Sequence, residues 1–300
     1  MMLRLWFTQK VKGVEMKNKN ATILPQVRYT IAQHQFTCHM DSHKADVELT
    51  DSLCSRKSVE KLCSGGIPSK YKYLQQDIRL KNVNSAYSVV QHLKGFMYAS
   101  LIKQFHDYVM EYFRTVLALI AKNPNKGTVL LQLRSACNRK GYQSLDFSFS
   151  EEEILNALNV SQLKELFAKR ILRGLEQKRD SLDLIRALYK TLGKSITKTV
   201  NEAMPYLEMR HLLVHNGERY DQKFIDNYGK CFTDVKAGGR INLNFEKMKC
   251  AAKCLRALVR EFDKFVVKEK FVRDEDIWNP VACEEGTNRT ALDYQTSETE

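Results

Sequence analysis

From residue 85 onward, hydrophobic positions recur three and four apart, the repeat of a helix that buries one face. Val90, Leu93, Met97, Leu101, Phe105, Val109, Tyr112, Val116 and Ile120 carry this repeat through one long segment, Tyr87–Ile120. Asn123-Pro124-Asn125-Lys126-Gly127 stops it. A shorter helix is expected to about Arg139. Ser150-Glu151-Glu152-Glu153 reads as a capping box, in which Ser150 caps and Glu153 reaches back, opening a short helix through Leu158. Ser161–Leu175 and Arg179–Leu192 are two more amphipathic stretches. Ile196–His215 is the next, with Pro205 as a possible kink and Asn216-Gly217 as its stop. The last helix runs from Glu246 to about Val267. Before it, two short β-prone runs, Cys231–Val235 and Ile241–Phe245, flank Lys236-Ala237-Gly238-Gly239-Arg240 and predict a hairpin. The fold expected is all-α: a multi-helix bundle with a small β-hairpin before the last helix.

Residues 1–84 show no sustained period and read as an extended, partly ordered arm, with Ser64-Gly65-Gly66-Ile67-Pro68-Ser69 as a breaker. The organisation expected is therefore an arm over 1–84, a helical domain over 85–270 and a tail over 271–300. That tail has eight acidic and two basic residues, a charge of −6 within a total of +13, so residues 1–270 carry +19. Such an excess favours polyanions. Lys164, Lys169, Arg170, Arg173, Lys178 and Arg179 form a basic run suited to a phosphate backbone, although most such runs are solvated helix faces.

None of the eight cysteines forms a C-x-x-C pair, which argues for reduced thiols in a cytoplasmic protein. His34, Cys38, His39, Asp41 and His43 are metal-ligand types, but their spacing matches no recognisable site. No metal and no cofactor are expected. The most apolar stretch, Val109–Ala121, is broken by Glu111 and Arg114 and falls short of the roughly 20 residues of a membrane span. The basic first residues lack the apolar block of a secretory signal, and Met16 is an alternative start.

The segment richest in chemistry is Arg210-His211-Leu212-Leu213-Val214-His215-Asn216-Gly217, at the end of a predicted helix. His211 and His215 are four apart and share a face. Arg210 precedes His215 by five, which in an ideal helix places it on another face. An Arg near a helix C-terminus also complements the dipole, and Asn-Gly is an ordinary cap, so each feature alone has a purely structural explanation.

Taken together, these residues resemble the HEPN superfamily, helical domains with an R-x(4–6)-H motif. The likeness extends to a long helix with an aromatic and acidic centre (Phe105, His106, Asp107, Tyr108, Glu111, Tyr112), and to Asp221-Gln222-Lys223-Phe224 after the motif. It covers about residues 85–270. It implies a metal-independent endoribonuclease that uses the RNA 2′-hydroxyl as nucleophile, in a toxin or antiviral-defence setting. Arg210, His211 and His215 would be catalytic, and Asn216, Lys169 and Arg173 would contact substrate. It implies RNA as partner, a homodimer that places two motifs in one cleft, and an antitoxin or regulatory protein as a further partner. The alternative is a non-catalytic helical module that binds RNA, a nucleotide or a protein.

Overall fold

A computed structural model describes residues 28–65, 82–123, 125–126, 129, 159–160, 162–163, 166, 181–232 and 235–278. Among these residues seven α-helices are present: α1 (Ile31–Leu53), α2 (Arg56–Gly65), α3 (Val83–Lys122), α4 (Ser181–Thr191), α5 (Lys198–His215), α6 (Gln222–Tyr228) and α7 (Phe245–Lys268). The helices expected between residues 128 and 175 lie outside the described residues, apart from isolated positions. Side-chain caps set most of the described helix starts. Asn82, Thr197, Asp221 and Asn244 each accept a hydrogen bond from a backbone N–H in the first turn of α3, α5, α6 and α7.

The 40-residue α3 is the axis of the bundle and meets α1, α2, α5 and α7. Its buried face, including Tyr98, Leu101, Ile102, Phe105, Val109, Phe113 and Val116, follows the sequence repeat. Opposite it, α7 buries Met248, Leu255, Val259, Phe262 and Val266. Phe262 meets Phe113 edge-on at 5.1 Å between ring centres and Tyr189 of α4 at 5.2 Å. Each such pair adds about 0.5–1.5 kcal/mol beyond the area it buries.

Two expectations need correction. The first is the hairpin. The described residues contain no β-strand and no hairpin, and they form an all-α bundle. Gly229–Cys231 is a 3-10 turn, and Phe245 already begins α7. The turn at Gly238 (φ +72°) sends the chain back toward the end of α5 instead. There Tyr220 N–H donates to Gly239 O, Gly238 N–H to Tyr220 O and Ile241 N–H to Glu218 O. Burial outweighs the local β preference: Phe232 packs on Tyr206 and Phe224, while Ile241 and Leu243 turn into the core.

The second is the absence of a helical repeat before residue 84. Ile31–Leu53 is a 23-residue helix whose Ala32, Phe36, Met40 and Val47 join the core. The repeat was diluted by histidines that pack through aromatic contacts. His34 stacks on Trp278 at 3.6 Å, and His39 stacks on Tyr108 at 4.7 Å. His43 places Nε2 2.7 Å from the Tyr108 hydroxyl and Nδ1 2.6 Å from Asp46. The segment read as a tail also begins inside the bundle. Phe271 and Val272 are buried, and Trp278 N–H donates to Tyr29 O at 2.8 Å.

The start of α1 is fixed by a buried carboxylate. Asp263 of α7 is fully buried and accepts from Thr30 N–H (2.9 Å), the Thr30 hydroxyl (2.5 Å) and the Tyr112 hydroxyl (3.2 Å). Burial pushes this carboxyl above its ordinary range, and the bonds from Thr30 and Tyr112 oppose the rise. Asp263→Ala strands three buried donors and should cost about 3 kcal/mol or more in chemical denaturation. A carboxyl raised by folding binds its proton more tightly in the native state. Its contribution is therefore fullest in acid and declines as pH rises through the raised value. Asp263→Asn should flatten that decline, and a stability–pH profile parallel to the wild type would contradict the assignment.

Candidate functional site

The motif stands on α5, whose Val200, Ala203, Met204, Leu207, Leu212 and Leu213 are buried at helical spacing. Its first turn is fixed to α7, since the Thr197 hydroxyl donates to Glu261 at 3.1 Å and Lys194 pairs with Glu261 at 3.0 Å. Burial tends to raise the Glu261 carboxyl, but bonds from Thr199, Lys194 and Thr197 and the Lys194 charge leave it below its ordinary range. The helix runs through Pro205 to His215. Asn216 caps it, with its N–H on Leu212 O (3.1 Å) and its side-chain amide on Arg219 O (2.7 Å). Gly217 (φ +57°) and Glu218 (φ +62°) then turn through the left-handed region, which favours glycine at the first of them.

This end of α5 brings two of the motif residues together. His211 and His215 are both exposed, with ring centres 4.9 Å apart and planes tilted by 44°. Arg210 does not join them. It is half-buried, and its charge acts on Asp107 of α3. Asn216 lies beside the pair in sequence, but its side chain closes the turn. Lys169 and Arg173 lie outside the described residues.

The electrostatic partner of Arg210 is the feature that periodicity alone did not assign. Asp107 sits at the acidic centre of α3, with His106 Nδ1 3.1 Å from its carboxylate. The hydrogen bond from His106 holds Asp107 below the ordinary carboxylate range against the opposing effect of burial. The charges of His106, Arg210 and Arg114 act in the same direction. The sequence signal was present in the His106-Asp107 pair, but only the packing of α3 on α5 brings it within the influence of the Arg210 charge.

Beyond the C-terminus of α5 lies a groove of about 510 Å³ between α3 and the 240–244 segment. His92, Phe96, Ala99, Leu213, Arg240 and Asn242 are among its walls. Arg240 pairs with Glu218 at 3.0 Å, and His92 meets Phe96 edge-on at 4.9 Å. Among the described residues no three His, Cys, Asp or Glu side chains converge as a metal site. No helix among them is long and apolar enough to cross a membrane.

No family model, curated protein or solved structure matches this chain.

The α3–α5 field is open to direct measurement. In carboxyl-resolved NMR titrations, Arg210→Ala should move Asp107 upward toward its ordinary value. His106→Ala should move it further, because the hydrogen bond is the larger influence. An unmoved Asp107 in Arg210→Ala would show that the two helices do not communicate at this point.

Proposed function

We propose that this chain is a HEPN-type helical protein that cuts RNA without a metal ion, in the setting of a toxin or antiviral-defence effector. The observation carrying this reading is the exposed His211–His215 pair at the capped end of α5, next to Arg210, whose charge contributes to holding Asp107 of the long helix below the ordinary carboxylate range. RNA supplies its own nucleophile. One imidazole takes the 2′-hydroxyl proton, the oxygen attacks the adjacent phosphorus, and the 5′-oxygen leaves with a proton from a second imidazole. Arginine's planar fork suits the extra negative charge on the phosphate.

Within one chain Arg210 and the histidines face different ways, so the composite site calls for a second copy across a two-fold axis. Surface chemistry supports that pairing. Leu93, Phe96 and Met97 of α3 and Val214 of α5 are 42–54% exposed, apolar surface that pairing would cover, and Phe96 shares a groove with Leu213 of α5. The protein should sediment at twice 34.8 kDa. Phe96→Asp should return it to a monomer and abolish cleavage together. A monomeric wild type that still cuts RNA would rule out the composite site.

Cleavage should persist in EDTA and leave 2′,3′-cyclic phosphate and 5′-hydroxyl ends, and a 2′-deoxy substitution at the cut position should block it. His215→Ala and Arg210→Ala should each slow turnover by about a hundredfold or more while helix content stays unchanged. Loss of activity on chelation with recovery in magnesium would overturn the mechanism. The Asp107 charge near Arg210 favours one second reading, a helical module that binds RNA without cutting it. Retained RNA binding with no products from the wild type would select that reading.

A further inference from the structure

Of the seven histidines of this chain, five engage other groups, His92 with Phe96 and His106 with Asp107 among them. Those of α1 are committed to other groups: His34 to Trp278 and Cys38, His39 to the face of Tyr108, and His43 to Asp46 and Tyr108 through both ring nitrogens. His211 and His215 have no hydrogen bond to the described residues and meet only each other. Both residues are exposed near the C-terminal end of α5.

Their separation suits a shared ligand. With a metal–nitrogen bond of about 2.1 Å and about 1.1 Å from ring nitrogen to ring centre, each centroid would lie about 3.2 Å from a common ion. Centroids 4.9 Å apart then subtend about 100° at that ion, close to the tetrahedral angle that zinc adopts. Two imidazoles one turn apart on a formed helix are already oriented for such chelation, so little ordering is required on binding.

We propose that His211 and His215 form a two-histidine site for a borderline transition-metal cation such as Zn²⁺, with water completing the coordination shell. The site stands on the pair alone. A consequence rests on the nuclease reading: the cation occupies the same nitrogen lone pairs that would move protons, so metal binding silences cleavage. The ion would be an inhibitor here and take no part in the reaction. Because a metal takes the neutral ring, protons compete with it and binding should weaken in acid.

The test is calorimetric titration of untagged, chelator-treated full-length protein with Zn²⁺ alone. One ion per chain should bind. His211→Gln and His215→Gln should each weaken that binding by about a hundredfold, since either leaves one arm of a chelate. His39→Gln and His43→Gln should leave it unchanged. Circular dichroism of each variant checks that the fold is kept. Absence of binding to the wild type, or binding that survives either substitution in α5, would overturn the site. RNA cleavage, measured separately, should be lost in Zn²⁺ and restored by EDTA. If Zn²⁺ binds as described but RNA is never cut, the nuclease reading falls and the metal site stands.

Discussion

Asp263 joins three helices that the chain separates by up to 233 residues. Its carboxylate receives the first backbone N–H and the hydroxyl of Thr30, and so positions α1, while the Tyr112 hydroxyl ties in α3. A buried carboxylate is costly unless its oxygens are satisfied, which makes the three donors and the acceptor mutually dependent. The Thr30 hydroxyl also accepts from Gln33 N–H, so a single side chain starts α1 and binds it to α7. Around this polar point the packing is aromatic: Tyr112 touches Phe36, Phe113 and Phe262. The network therefore fixes the relative register of the helices against which α5 must pack.

The candidate site inherits its rigidity from that frame. At one end α5 is anchored through Thr197, Lys194 and Glu261 on α7. At the other, Leu212 and Leu213 are buried against the bundle, and the Asn216 cap with the 238–241 return segment closes the chain. The segment that sequence patterning assigned to a hairpin thus braces the motif instead. Arg219 reinforces it by donating to Gly238 O at 2.7 Å. Holding both ends while leaving His211 and His215 open is what a preorganised site requires, because neither histidine has to be ordered when a ligand arrives.

Legibility in the sequence followed the strength of the apolar repeat. The final helix, expected over Glu246 to about Val267, is Phe245–Lys268, because its buried positions are strongly apolar and the opposite face is charged. The long helix likewise extends slightly beyond its expected ends, to Val83–Lys122. The first helix was hidden because His34, His39 and His43 count as polar in a pattern yet pack through ring faces and buried nitrogens. Short β-branched and aromatic runs near 231 and 241 misled for the converse reason, since tertiary burial decided their partners. In the motif, helical geometry alone gave the pairing of His211 with His215 and the separate direction of Arg210. The role of Asp107 depended on which helix packs against α5, and that is a property of the fold.

The division of charge across α5 has a chemical consequence. The Arg210 charge reaches Asp107, whose carboxyl is held below its ordinary range chiefly by the hydrogen bond from His106. The Asp107 carboxylate partly offsets the Arg210 charge, which weakens that guanidinium as a phosphate grip within a single chain. The histidines on the other side have no such counter-charge among the described residues and border a helix terminus that welcomes cations. Imidazole lone pairs in that position attract either a proton or a metal ion, and each excludes the other. An enzyme built on these two rings would therefore be sensitive to any cation that competes for them. Its activity would depend as much on the local supply of borderline divalent ions such as Zn²⁺ as on the RNA presented to it.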